Sequence, residues 1–333
     1  MNTRVPVVLF SIVVVACLTN SFAVCHAQEA VAIYTMNADG TNARFFTVTE
    51  DKRWNGSGSW SHDGTRILYD VSDQQYGNGE NHVIMRALQG VHYLDFGPGS
   101  APAWSPDDSQ IAFMIQKTEG DEFQHGIWTV DANGIDRRFV CSGYRPAWSP
   151  DGKSIVYSDP LSGRNQLFIR NLETDEEKVI LDQDYRLIPG ASFSPDGNFI
   201  AFIGYHEGED QYDADLGIID LRPEEPELTI RLRDRIGWHP KWSPDGQRIL
   251  FFKVESGRAF RIATVSPFGA DKPVVLKDQD GYFYNADASW SPNGSQIVFS
   301  SDRFAVVDEL HGLIGMEAGL TGGEDQIPSP ADQ

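Results

Sequence analysis

The chain has 333 residues, 41 % of them hydrophobic and 11 % aromatic, which is a globular composition and not that of a disordered chain. Its 27 Lys and Arg against 48 Asp and Glu give 27 − 48 = −21. That balance argues against nucleic acid and anionic membrane surfaces as partners, because neutralising phosphates needs clustered bases.

Residues 1–27 read as an export signal. Arg4 is the only charge before Glu29, and Val5 to Ala16 is a nearly unbroken apolar run of 12 residues. A membrane span needs about 20, whereas a signal core needs no more than this. Small residues at Cys25 and Ala27 place cleavage before Gln28, with Ser21-Phe22-Ala23 as a second site. Val14-Val15-Ala16-Cys17 loosely resembles a lipobox, so the alternative is a lipid anchor through Cys17. The expectation is a periplasmic or secreted protein with no membrane span after cleavage. Of Cys17, Cys25 and Cys141 only Cys141 then remains, so no internal disulfide forms.

From residue 28 to 302 the chain is one domain built on a repeat. Six segments align without gaps, starting at Trp60, Trp104, Trp148, Phe193, Trp242 and Trp290, with spacings of 44, 44, 45, 49 and 48. The third copy, Trp148-Ser-Pro-Asp-Gly-Lys-Ser-Ile-Val-Tyr157, is typical. Pro presets φ at the second position of the turn, Asp bonds the backbone ahead, and Gly accepts positive φ. The strand after the turn is apolar on both faces and should be sandwiched between layers. The strand before it, as in Ala101-Pro-Ala103 or Gly190-Ala-Ser192, is built of small residues that suit the crowded centre of a radial array. Two further strands fit between anchors, for example Ile127–Val130 and Arg138–Val140 around the turn Asp131-Ala-Asn-Gly134. Four antiparallel strands per repeat make a propeller blade.

The two ends are half-repeats. Val31–Thr35 and Arg44–Val48 supply third and fourth strands, and the last anchor supplies only a first and second. The predicted fold is therefore all-β: a six-bladed propeller of four antiparallel strands per blade, the last blade closed by the N- and C-terminal strands of residues 30–50 and 286–302. Residues 303–333 do not repeat and read as a C-terminal tail, partly disordered.

Ile33-Tyr-Thr-Met-Asn-Ala-Asp-Gly-Thr-Asn42 followed by repeated Trp-Ser-Pro-Asp-Gly resembles the TolB-like six-bladed propellers, over residues 30 to about 302. The resemblance implies the propeller portion alone, since TolB itself carries an α/β domain before its propeller. It also implies a binding scaffold of the cell envelope; the matching residues themselves are structural and specify the fold, not a particular function.

No catalytic residues are assigned. The repeated acids Asp63, Asp107, Asp151, Asp196 and Asp245 occupy one turn in different blades and read as structural, and the anchor Trp residues read as core. There is no Gly-x-Ser-x-Gly, no His-Glu-x-x-His and no phosphate-cradling loop. Asp278-Gln-Asp-Gly281 opens like a calcium loop, but Ser289 stands where the closing Glu belongs, so an ordinary turn is expected. His125, His206 and His239 fall in loops of one face. Oligogalacturonate lyases hold a metal with histidines on such a face, which makes a metal-dependent lyase or a carbohydrate-binding protein the alternative function. No metal and no cofactor are assigned.

A partner-binding set is more coherent. Where the chain enters each first strand it carries Trp54, Tyr144 with Arg145, Tyr185 with Arg186, Trp238 with His239, and Tyr284. Tyr, Trp and Arg dominate interface hot spots. The expected function is an exported, non-enzymatic binding or scaffold propeller, monomeric, recognising an envelope protein or peptide through this face.

Overall fold

The computed structural model describes residues 31–303, apart from 50–51, 74–80, 91–92, 117–122, 160–164, 209, 256–258 and 280–283. The expected signal segment and, beyond Arg303, the expected tail lie outside the described residues.

The hydrophobic alternation and turn signals produce β-structure throughout. β1 (Ala32–Asn37) and β2 (Arg44–Thr47) open the chain. One sheet follows from β3 (Trp54–Trp60), β4 (Arg66–Ser72), β5 (Asn81–Ala87) and β6 (Tyr93–Pro98). The next holds β7 (Ser100–Trp104), β8 (Gln110–Ile115), β9 (Gly126–Asp131) and β10 (Arg138–Cys141). Then come β11 (Tyr144–Trp148), β12 (Ser154–Asp159), β13 (Gln166–Asn171) and β14 (Glu177–Asp182).

A seven-stranded sheet contains β15 (Leu187–Phe193), β16 (Phe199–Tyr205), β17 (Asp213–Asp220), β18 (Glu227–Trp242), β19 (Ile249–Val254), β20 (Phe260–Val265) and β21 (Val274–Val275). β18 is two strands run together. Glu227 to Arg235 pair with β17, and Ile236 to Trp242 pair with β19. The sequence from Thr229 to Ile236 contains no Gly or Pro to break it. Finally β22 (Asn285–Trp290) and β23 (Gln296–Ser301) join the first two strands in the order β2-β1-β23-β22. The ladder from Ala32↔Ser301 to Asn37↔Gln296 ties the two ends of the described chain together.

All pairings are antiparallel, and the inner strands β3, β7, β11, β15, the end of β18, and β22 touch one another in a closed cycle. The second strands fill the core: Ile111-Ala-Phe113, Ile200-Ala-Phe202 and Ile297-Val-Phe299 are wholly buried. Each large side chain so placed contributes roughly 1.5–3 kcal/mol. Among the described residues no helix is long and apolar enough to cross a membrane.

The turns behave as their sequence dictates. In the third copy the Ser149 hydroxyl donates to Asp151, Asp151 accepts from the Lys153 N–H, and Gly152 sits at φ 71°. Neighbouring turns also touch. A Cβ added at Gly152 would lie 3.6 Å from Pro106, and the same Pro–Gly contact joins Pro150 to Gly197, Pro195 to Gly246, Pro244 to Gly294 and Pro292 to Gly64. The first and second copies differ. His62 replaces Pro, Asp108 replaces Gly, and Asp108 accepts from the His62 and Asp63 backbone N–H groups at 2.7 and 2.8 Å.

One expectation needs correction. Trp60, Trp104 and Trp242 are core, but Trp148, Phe193 and Trp290 are only half-buried. They lie on the seams between sheets, where the indoles of Trp148 and Trp290 donate to the Ala103 and Lys241 carbonyls. The expected turn from Asp278 runs into residues 280–283, outside the described residues, but Gln279 before them has a role that a turn does not give it. Gln279 is buried and its amide bonds the Ile262 N–H and carbonyl, taking the place of strand pairing beside the very short β21.

Candidate functional site

The ring geometry begins with a bulge. Every first strand slips register against its second strand, between Gly56 and Ser59, Ser100 and Ala103, Tyr144 and Ala147, Leu187 and Gly190, Gly237 and Lys241, and Ala286 and Ser289. A bulge re-aims the residue it carries. The residue three before each anchor therefore faces the centre: Ser57, Ala101, Arg145, Gly190, His239 and Asp287. Ser57, Ala101, Arg145, Asp287 and the neighbouring Trp238 hold φ between 50° and 63°. Such a backbone costs a non-glycine residue on the order of 1 kcal/mol or more, and the surrounding ring maintains it.

These strands enclose a central cavity of about 30 Å3, lined by Ser57, Ala101, Arg145, His239, Lys241 and Asp287 among others. The two carboxylates there are held by neutral donors. Asp70, on β4, accepts from the Ala101 N–H at 2.8 Å, and the Ser57 hydroxyl also bonds it. Asp287 accepts from the Tyr284 hydroxyl at 3.0 Å and from the Ser57 N–H. Burial raises both carboxyl pKa values. Tyr284 is pushed well above its usual value by burial and by Asp287.

The basic side is arranged differently. The Arg145 guanidinium donates to His239 Nε2 and lies 4.9 Å from the centre of the Trp238 ring. His239 is neutral, because burial first and then Arg145 and Lys241 hold its pKa well below 6.5. Lys241 is lowered to about 8 by burial and by Arg145. Gly190 leaves the space that His239 fills, since a Cβ there would stand 3.1 Å from the imidazole ring.

The expected partner-binding residues separate into three groups. Arg145, Trp238 and His239 converge at the centre, with Tyr284 reaching the same cluster through Asp287. Trp238 is 38 % exposed, a large aromatic open to solvent beside the cavity. Tyr144 is half-buried against His125, and Arg186 is exposed, bonding the His206 and Gln211 carbonyls. Trp54 and Tyr185 turn inward. Trp54 is buried against Tyr284, with ring centres 5.1 Å apart, and Tyr185 donates to the buried Asp215. These two support the face and do not themselves offer contact area on it.

The three loop histidines do not meet. His125 packs on Tyr144, His206 Nε2 lies 3.1 Å from Asp215, and His239 bonds Arg145. Among the described residues no group of three His, Cys, Asp or Glu side chains is placed to hold a metal.

Sequence reasoning missed Asp70, Asp287 and Lys241. Comparing the copies finds Lys241 directly. Before the other anchors stand Ser59, Ala103, Ala147, Ser192 and Ser289, so a lysine is the single departure from small residues.

The model of the TolB beta propeller domain family matches residues 18–266 and 123–308. The Agrobacterium tumefaciens protein described as a TolB superposes with a TM-score of 0.66 at 19 % identity, over 82 % of this chain and 98 % of that one. TolB from Acinetobacter baumannii gives 0.57 at 15 % identity, over 81 % of this chain and 63 % of its own length. A chain of the nidogen/laminin complex gives 0.52 at 9 % identity, over 71 % and 89 %. No curated protein sequence matches the chain. At these identities the structural likeness carries the fold alone, but the family match spans most of the sequence: the chain belongs to the TolB beta-propeller domain family.

Proposed function

We propose that the protein is an exported, non-enzymatic binding propeller of the cell envelope, with six blades of four strands each, that docks an envelope protein or peptide on the face where the first strands enter. β18 serves as both the last strand of one blade and the first of the next, which brings the seven-stranded sheet into that count. Export rests on Arg4 and the apolar run to Ala16. The family membership supports a scaffold in preference to an enzyme.

The observation that carries the reading is Trp238. It is a solvent-open indole on a left-handed backbone, backed by the Arg145 guanidinium, and its backbone N–H donates to the Tyr205 hydroxyl at 3.4 Å. The bulge accounts for the backbone conformation but not for a large exposed indole carried on it; a rigid, preorganised contact residue does.

Crosslinking in the native envelope followed by mass spectrometry identifies the partner. Trp238→Ala should then weaken its binding about thirtyfold, or about 2 kcal/mol, with the melting temperature unchanged. Asp151→Ala, in a turn at the other end of its strands, should spare binding. Full affinity in the Trp238 variant would place the contact elsewhere.

A further inference from the structure

The central cavity holds two acids and two bases; Asp70 and Asp287 attract Arg145 through space and Asp287 attracts Lys241, but among the described residues none of these pairs is in ion-pair contact. Asp70 and Asp287 are engaged by hydroxyl and backbone N–H donors. Among the described residues no carboxylate is in ion-pair contact with the Arg145 guanidinium, whose hydrogen bond goes to the neutral His239. Lys241 is barer still. Its backbone carbonyl is fixed by the Trp290 indole, so the residue is held in place, yet its ammonium has no hydrogen-bond or ion-pair partner among the described residues. Enclosing a cation without an acceptor is costly, and proteins tolerate it where something else supplies the negative charge. The protein is otherwise strongly acidic, at −21, so two unpaired cations facing one small space are not a consequence of composition.

We propose that this cavity is a binding site for a carboxylate group, which accepts hydrogen bonds from Lys241 and Arg145 at the centre of the ring. The size agrees. About 30 Å3 is room for a planar head of two oxygens. The donor set agrees as well. A guanidinium edge and an ammonium are the usual carboxylate pair. The site is distinct from the exposed Trp238 contact and stands whether or not a protein docks there. The carboxylate belongs either to a free small acid or to the end of a peptide chain.

The test uses the mature chain, with sodium acetate titrated against sodium chloride at equal ionic strength and pH 7. A saturable rise in melting temperature is expected, about 3–5 °C at a tenfold excess over the dissociation constant. Line broadening of 13C-acetate by the unmodified protein gives a second readout that needs no variant. Lys241→Met should abolish both responses while melting no lower than the parent without acetate, since an unpaired cation is being removed. Lys272→Met, an exposed lysine elsewhere, should keep both. Triglycine with a free carboxylate, compared with its C-terminal amide, separates the sources. Binding of the free form and not the amide assigns a chain terminus, and binding of acetate alone assigns a small acid. Equal binding of the amide, a stronger response to phosphate than to acetate, an acetate response no different from chloride, or a response retained in Lys241→Met would each overturn the proposal.

Discussion

The junction between the first two turns predicts its own double-mutant cycle. Five neighbouring pairs of turns meet as Pro on Gly, and one meets as His62 on Asp108. Asp108 is 10 % exposed, holds φ 58°, and accepts two backbone N–H bonds, with the His62 Nδ1 3.1 Å away. Asp108→Gly deletes two charge-assisted bonds at a site that water can partly reach, a loss of about 2 kcal/mol. It regains about 1 kcal/mol by putting glycine at a positive φ. His62→Pro removes one of the two donors and leaves Asp108 half-satisfied, a loss of about 1 kcal/mol. Additive effects would therefore sum to about 2 kcal/mol for the double variant. The structure predicts instead that combining His62→Pro with Asp108→Gly re-creates the proline-on-glycine contact present at the other five junctions. The double variant should then return to within about 0.5 kcal/mol of the parent. Urea unfolding followed by both tryptophan fluorescence and circular dichroism measures the cycle. Strict additivity would show that the two departures from the repeat are unrelated and that the Pro–Gly contact carries no energy.

Two more outcomes follow from the scaffold. Asp63 and Asp107 are lowered to about 2, and Asp151, Asp196 and Asp245 are lowered as well, chiefly because Ser hydroxyls and backbone N–H groups ahead bond their ionised form against the opposing cost of burial. A depressed folded-state pKa gives stability that is complete above the unfolded value near 4 and is lost as pH falls toward about 2. The urea midpoint should therefore drop across that window, and less steeply in a variant with several of these Asp changed to Asn, as the sixth copy already has at Asn293. An equally steep drop in that variant would assign acid sensitivity to other groups. Gly190→Ala sets a Cβ 3.1 Å from the His239 ring, which is itself held by Arg145. Melting should fall by about 2–4 °C for roughly 1 kcal/mol of overpacking, and an unchanged melting temperature would mean that the ring shifts freely.

The repeat made the scaffold legible. Trp-Ser-Pro-Asp-Gly prescribes its turn residue by residue, and the unmatched half-repeats at the two ends prescribe the pairing of β1 with β23. The centre was less legible. Its left-handed positions are occupied by Ser57, Ala101, Arg145 and Asp287, none of them the glycine that signals positive φ in sequence. The burial of Trp54 and Tyr185 was equally hidden. An aromatic at the entry of a strand reads alike whether it turns outward or, as Trp54 does against Tyr284, into the sheet.

The copies also act as controls for one another, which separates scaffold from function without any relative. A position that the fold needs repeats its residue, as Ser149 and Asp151 repeat in kind across the turns. A position that the fold only aims can vary, and the bulge aims five different side chains and a glycine at one point. There the requirements of the backbone decide what is left over. The bulged strands turn the Ser57 and Ala101 N–H groups inward, and those donors consume the acids: Ser57 bonds Asp287 and Ala101 bonds Asp70. With the carboxylates bonded to these donors, Arg145 and Lys241 feel Asp287 only through space and have no carboxylate in ion-pair contact among the described residues. The unpaired charge at the centre thus follows from the same bulge that builds the ring.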